Sequence, residues 1–234
     1  MNGPSNSDRC GWPEALLFDL DGTLVDSVPD LATSVNLLLG ENGLQPLDTD
    51  AVRSMIGNGV RKLVERAFAA RDVLLEETDL DSRTGRMMEI YADYLTAETV
   101  FMPSAREIVA AYHKANTRIA VVTNKPEGFS RKILDELGIG AMVDCVVGGD
   151  TGPERKPSPD MLLHACRQMD VDVSRAIMIG DSPADIGAAR NASMACVAVR
   201  GGYTNVPVEE LGADIVIDTL AELPGAIEKL KEPA

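Results

Sequence analysis

The sequence predicts an α/β protein: a parallel sheet covered by helices and interrupted, after its first strand, by an all-helical insertion. Three observations lead there. Short apolar runs rich in β-branched residues recur without polar alternation, as in strands buried on both faces. Helical patterns alternate with those runs, the arrangement of a parallel sheet with crossover helices. From about Val25 to Val100 the alternation stops and only helical periodicity remains.

The first run, Ala15-Leu16-Leu17-Phe18, closes on Asp19-Leu20-Asp21-Gly22. Later strands are expected at Arg118–Thr123, Cys145–Val147, Ala176–Ile179, Ala195–Val199 and Asp214–Ile217. Helix starts are legible between them. Ser104 with Glu107, and Thr219 with Glu222, have the spacing of a capping box. Pro159 and Pro183 each follow a serine, which suits an N-cap and a proline in the first turn. Gly138 suits the stop of a helix over Glu127–Leu137.

The insertion carries apolar stripes at Leu31, Val35, Leu38 and Leu39, then at Val60, Leu63, Val64, Ala67 and Phe68. Roughly seventy-five residues are too many for a simple crossover. The chain therefore divides into a short leader (1–12), a core (13–24 and 101–234) and a helical domain (25–100). That domain is entered near Thr23–Val28 and left near Thr99–Pro103.

Composition narrows the function. The 234 residues carry 22 Lys and Arg against 37 Asp and Glu, a formal net charge of −15. Such a chain is a poor candidate for holding nucleic-acid phosphates by counterion release, and equally poor for an anionic membrane. No apolar run approaches the ~18 residues of a membrane span. Met1–Trp12 is polar and lacks the basic and apolar regions of a secretory signal. Cys10, Cys145, Cys166 and Cys196 are scattered, neither a disulfide framework nor a zinc site, which points to a reducing cytoplasm. The expected partner is a small metabolite, bound by a monomer or homodimer.

In an open parallel sheet, ligands sit beyond the carboxyl ends of the strands. The polar residues expected there are Asp19 and Asp21, then Thr123-Asn124, then Asp181 with Asp185 one helical turn on; Lys156 lies in the loop Gly152–Pro157. Asp19 and Asp21 are two apart, so on a strand they share a face. Four carboxylates together repel strongly, each pair costing about 4 kcal/mol at ~4 Å and an effective dielectric of 20. A divalent cation resolves this, and oxygen ligands without His or Cys select Mg²⁺. Mg²⁺ beside a lysine and a threonine hydroxyl makes a phosphate site. Aspartate is a known covalent nucleophile for phosphoryl groups, and a second carboxylate can shuttle the protons. On this reading Asp19 attacks and Asp21 handles protons.

Asp19-Leu20-Asp21-Gly22-Thr23-Leu24-Val25-Asp26-Ser27 resembles the first motif of the haloacid-dehalogenase superfamily. Thr123 resembles its second motif, Lys156 its third, and Gly180-Asp181-Ser182 with Asp185 its fourth. The motifs fall in order at the expected strand ends, a context that leaves little room for chance. The resemblance implies a Rossmann-like core and a mobile helical cap inserted after the first motif. It also implies Asp19 as nucleophile and Asp21 as general acid/base. Asp19, the backbone carbonyl of Asp21, Asp181 and, through water or a neighbour, Asp185 would serve the metal. Thr123, Asn124 and Lys156 would clamp the phosphate. The superfamily's dehalogenases lack the second acid, and its phosphonate-cleaving members need a cap lysine, a role for Lys62 that no motif supports.

Finer stretches resemble bacterial phosphoglycolate phosphatases: Arg53-Ser54-Met55-Ile56-Gly57-Asn58-Gly59-Val60, Thr123-Asn124-Lys125-Pro126, and Gly148-Gly149-Asp150-Thr151 leading to Arg155-Lys156-Pro157. Gly202-Tyr203-Thr204-Asn205 is a weaker echo, and Pro183, Ala184 and Ser193 depart from the pattern. The implied reaction is hydrolysis of 2-phosphoglycolate to glycolate and phosphate. Another small phosphomonoester, or a sugar-phosphate mutase reaction, would use the same core residues.

Several of these residues also have plainer readings. Asp26 and Ser27 fit a helix cap, and Asp185 fits a capping box with Ser182. Lys125 reads as a solvated charge, and Arg53 as either a substrate-carboxylate partner or a surface residue. Asp150 either orients Lys156 or caps a turn. The run Glu76–Asp81 reads as a solvated helix end, and His113 and His164 as partly exposed. Gly57-Asn58-Gly59 is the insert's best candidate for a substrate-facing loop, because glycine lets backbone approach a ligand closely.

Overall fold

The computed structural model describes residues 11–231, so Cys10 and nearly all of the expected leader lie outside the described residues. The strands are β1 (Ala15–Phe18), β2 (Val25–Asp26), β3 (Val100–Phe101), β4 (Arg118–Val122), β5 (Cys145–Val147), β6 (Ala176–Gly180), β7 (Ala195–Val199) and β8 (Ile215–Ile217). The helices are α1 (Val28–Glu41), α2 (Thr49–Arg53), α3 (Val60–Ala69), α4 (Glu77–Tyr94), α5 (Ala105–Lys114), α6 (Glu127–Glu136), α7 (Asp160–Met169), α8 (Pro183–Asn191) and α9 (Leu223–Lys231).

Six strands form one sheet in the order β5-β4-β1-β6-β7-β8, every pair parallel. All four β1 side chains are fully buried, because neither face of a helix-covered sheet meets water. The pleat sorts the strand residues onto two apolar layers. Leu16, Phe18, Val121 and Ile179 face the side covered by α5, α6 and α9, and Leu17, Val122 and Met178 face α7 and α8.

The helical insertion holds together by the same rule. In α3, Leu63, Val64, Ala67 and Phe68 form one buried stripe, the spacing of an amphipathic helix. In α4, Leu80, Met87, Ile90 and Tyr91 are buried. These residues belong to the same apolar cluster as Leu16 and Phe18 of the sheet. A short antiparallel ribbon closes the insertion, with Val25 opposite Phe101 and Asp26 opposite Val100. No strand is expected there from the sequence, since two residues per strand are too few to show a period.

Helix boundaries agree with expectation more closely than helix caps do. Gly138 stands just past α6 at φ +77°, and Ser182 caps α8 with Pro183 in its first turn. Ser104 and Thr219 make no side-chain cap bond. Ser104 is left-handed at φ +62°, whereas a capping serine is extended. Thr219 precedes only a short 3-10 turn, Leu220–Glu222. α7 starts one residue later than expected, with Pro159 itself at the cap position.

Register positions the site. Phe18 lies opposite both Val121 and Ile179, so Asp19 follows at the level where β4 and β6 are ending. Thr123 and Asp181 are the first residues past those strands. Among the described residues no helix is long and apolar enough to cross a membrane.

Candidate active site

Asp19, Asp181 and Asp185 each present a carboxylate oxygen within 4.8 Å of the others, and all three are buried. Lys156, brought in by the loop between β5 and α7, sits against them. Its ammonium lies 2.9 Å from Asp19 Oδ1 and 2.6 Å from Asp185 Oδ1, and donates to the Val122 carbonyl at 2.6 Å. Asp185 Oδ2 accepts from the Ser182 amide at 3.0 Å and the Ser182 hydroxyl at 2.6 Å. Asp185 is thus both the capping partner of α8 and the anchor of Lys156. Asp181 Oδ1 accepts from the Thr23 hydroxyl at 3.0 Å, and its Oδ2 accepts from the Tyr203 amide at 2.7 Å. Gly22 makes the approach possible. It sits at φ +86°, and a Cβ there would come 2.8 Å from Asp181 Oδ2.

The cluster carries excess negative charge. Burial, then the charge of Asp185, raises the Asp19 carboxyl to about 7 against the pull of Lys156. Burial, then Asp185 and Asp19, raises Asp181 to about 8. Burial disfavours the Lys156 ammonium, but Asp185 and Asp19 outweigh it and shift Lys156 upward. Asp19 Oδ1, although close to Lys156, is buried without an aligned hydrogen-bond donor. A buried, oxygen-only set with an unpartnered atom is what a divalent cation requires, so this cluster can hold one.

Asp21 points elsewhere. Its Oδ1 accepts from the Ser27 hydroxyl at 2.5 Å, and the Lys125 ammonium lies 3.0 and 3.2 Å from its two oxygens. Lys125 also donates to the Tyr91 hydroxyl at 2.7 Å. Thr123 Oγ1 accepts from the Lys125 amide at 3.2 Å. The Asn124 side-chain nitrogen donates to the Gly57 and Lys156 carbonyls, both at 3.1 Å, and so ties the insert loop to the lysine loop.

Two adjoining cavities open over these groups. One is lined by Asp19, Asp21, Thr123, Lys125, Gly57 and Gly59, among others. The second, larger one runs from Asp19 and Asp181 past Asn58 and Arg66 to Asn205. Gly57, Asn58 and Gly59 therefore face the same cleft as the carboxylates. Gly59, at φ +85°, leaves room for the Arg155 guanidinium, which would meet a Cβ at 2.9 Å.

The family model of haloacid dehalogenase-like hydrolases matches residues 16–199. The chain belongs to that family. Among its curated relatives is the phosphoglycolate phosphatase of Caulobacter vibrioides, 39% identical over 90% of this chain and 89% of the relative. The Rhodospirillum rubrum phosphoglycolate phosphatase is 41% identical over the same shares, 90% and 89%. The crystal structure of a predicted phosphoglycolate phosphatase from Haemophilus somnus superposes with a TM-score of 0.86 at 31% identity, covering 91% of this chain and 97% of that one. The protein is accordingly a phosphoric monoester hydrolase with a small phosphorylated metabolite as substrate.

The geometry corrects several readings of individual residues in this hydrolase. Lys125 is not a solvated charge: it is 5 % exposed and paired with Asp21. Its position two residues past Thr123, on the ligand edge of the sheet, was the available signal. Asp26 does cap α1, accepting from the Val28 amide at 3.2 Å, but the Ser27 hydroxyl turns to Asp21 instead. Arg53 stacks over Tyr203 at 5.5 Å and lies 3.8 Å from Asp26. Asp150 accepts from the Glu127 amide at 2.7 Å and so closes the start of α6. The reading of Glu76–Asp81 holds, as these residues open α4 with their charges in solvent. Tyr91 and Tyr203 were not singled out. Tyr203 donates its hydroxyl to Asp26 at 2.8 Å while its amide holds Asp181. Its only sequence trace was the Gly202–Asn205 stretch after β7.

Proposed function

We propose that this hydrolase cleaves 2-phosphoglycolate to glycolate and phosphate through an aspartyl-phosphate on Asp19. The observation that carries the reading is the buried Asp19 oxygen without a hydrogen bond, 2.9 Å from the Lys156 ammonium. A nucleophile needs a lone pair not already engaged, and an attacking carboxylate needs a cation beside it to approach a phosphate dianion.

Mg²⁺ is the cofactor we assign to the acidic cluster; Asp19, the backbone carbonyl of Asp21 and Asp181 would hold it, and it would supply positive charge against the attacking carboxylate and the phosphoryl group. Asp185, with both oxygens already on Lys156 and Ser182, acts by fixing Lys156. In the first step an Asp19 oxygen forms a bond to phosphorus as the ester oxygen departs with its electron pair and takes a proton from Asp21. In the second, the Asp21 carboxylate takes a proton from water, whose oxygen bonds to phosphorus and releases Asp19. Thr123 and Lys156 grip the phosphoryl oxygens. Asn124 keeps the Gly57 loop and the Lys156 loop in register. The helices over 25–100 act as a cap, and Gly57-Asn58-Gly59 approach the non-phosphate end of the substrate.

The curated relatives named phosphoglycolate phosphatase support the substrate. The test is phosphate release with Mg²⁺ across 2-phosphoglycolate, phosphoserine, glycerol phosphates and hexose phosphates, with Asp19→Asn as control. A strong preference for 2-phosphoglycolate, lost with EDTA and with the substitution, is expected. Broad or sugar-directed turnover would retain the mechanism and overturn the substrate.

A further inference from the structure

We propose that Lys125 is a positioning residue for Asp21, and that Tyr91 makes this positioning depend on the helical insert being seated on the core. The inference rests on Asp21 as the proton carrier. Three groups from three parts of the chain meet at one point: Asp21 just past β1, Lys125 just past β4 and Tyr91 in the last turn of α4. The ammonium faces both Asp21 oxygens, at 3.0 and 3.2 Å. A two-point contact of this kind fixes the rotation of the carboxylate as well as its distance.

The cluster is closed to water. The Lys125 side chain is 3 % exposed and Tyr91 is fully buried. Stripping water from an ammonium is costly unless its donors are used. Here they meet Asp21 and the Tyr91 hydroxyl, and the cation also lies 4.6 Å from the Tyr91 ring centroid. Burial pushes the Tyr91 phenol up to about 12, so it meets the cation as a neutral acceptor. Tyr91 in turn packs edge-on against Phe129 of α6, with ring centroids 5.6 Å apart. An insert lifted from the core would take Tyr91 away and leave Lys125 to solvent, loosening its hold on Asp21. The proton carrier is then correctly oriented only while the site is covered, which withholds acid catalysis from an open, wet cleft.

The test compares leaving groups. kcat/KM reports steps up to loss of the ester oxygen, and an alkoxide needs a proton that a nitrophenolate does not. The substrates are 2-phosphoglycolate, ethyl phosphate and 4-nitrophenyl phosphate. Asp21→Asn, Lys125→Met and Tyr91→Phe are each assayed with all three. Lys125→Met is expected to lower kcat/KM for both alkyl esters by about 100-fold, the size of a misplaced catalytic group, and for the aryl ester by less than about 5-fold. Tyr91→Phe should follow the same pattern at about 3- to 10-fold, and it decides the matter should Lys125→Met fail to fold. Equal losses on aryl and alkyl esters would mark a purely structural ion pair and overturn the proposal. A loss confined to 2-phosphoglycolate would make Lys125 a reader of the substrate carboxylate, which also overturns it. If Asp21→Asn itself does not discriminate between leaving groups, the underlying reading of Asp21 fails; if it does while Lys125→Met does not, only the positioning role fails.

Discussion

At the sheet edge Asp19, Asp181 and Lys156 are fixed by strand register and by a buried net of ion pairs, with Lys156 alone reaching two carboxylates and a carbonyl. The helical insert reaches the same cleft by single hydrogen bonds. The Gly57 carbonyl takes one from Asn124, the Ser54 carbonyl one from Asn205, and the Tyr91 hydroxyl one from Lys125. A network in which every member has several partners resists local opening, whereas isolated contacts between units break singly and reform. The difference is one of redundancy: at the edge each charged group is held by several partners, whereas each polar contact of the insert at the cleft stands alone.

The largest effect is expected at the edge. Asp19→Asn should reduce kcat by about 10⁴-fold or more, as for removal of other covalent nucleophiles. Its metal-free melting temperature should stay level or rise, because one member of a mutually repelling buried cluster has lost its charge. A steady-state assay beside a thermal melt checks both, and activity near wild type would remove Asp19 as nucleophile.

Metal removal tests the same cluster through pH. Asp19 and Asp181 are raised from 3.8 to about 7 and about 8 in the metal-free fold. Folded values above the unfolded ones mean that protonation stabilises the fold. That contribution is full below the unfolded value and lost as pH rises through the folded values. A divalent cation takes the place of those protons and must displace them to bind. The Mg²⁺-induced gain in melting temperature should therefore grow between about pH 5.5 and 8. A gain independent of pH over that range would mean that the cation binds elsewhere.

The insert's tether comes next. Asp30 is 1 % exposed and accepts from the Glu98 amide and from both the amide and hydroxyl of Thr99, at 2.7–3.1 Å. Asp30→Ala removes the acceptor of the Glu98 and Thr99 amides and leaves the Thr99 hydroxyl only the Leu95 carbonyl at 3.3 Å, a cost of about 3 kcal/mol. Denaturant titration should register it, and a change below about 1 kcal/mol would show that the return segment is held by packing alone.

The smallest effect is expected at the loop. Gly59→Ala places a Cβ at a left-handed residue and against Arg155, costing about 1–2 kcal/mol. Because the loop faces the cleft, KM should rise while kcat changes little. A fall in kcat with KM constant would move this loop from substrate reading to the chemistry itself.

The sequence was most informative where local pattern and function coincide. Three of the four motifs stand at strand ends, and a strand end is recognisable from its apolar run alone; Lys156 lies in the loop between β5 and α7. Asp19, Thr123 and Asp181 were therefore placed on the ligand edge by pattern alone, where the structure has them. It was least informative where burial depends on a distant partner. Lys125 looks like any surface lysine until Asp21, 104 positions away, and Tyr91, 34 positions away, fold onto it. Ser27 has the spacing of a cap, yet its hydroxyl finds Asp21. Local propensity does not decide whether a hydroxyl accepts from a nearby amide or donates to a distant carboxylate.

What the sequence determined by itself is the kind of molecule: a parallel sheet from its β-branched apolar runs, a helical insertion from the change of period, and an acidic edge from residues adjoining the strands. The sheet and the insertion follow from interactions within a few residues, and the edge is legible only as a row of acidic residues beside strand ends, its binding of phosphate being part of the proposed function. The tertiary structure alone decided the strand order, the ribbon that closes the insertion, the double engagement of Asp185 and the burial of Lys125 and Tyr91. Those depend on contacts between segments far apart in the chain. There the deciding cost is desolvation, and a group's environment is set by whichever distant neighbour removes its water.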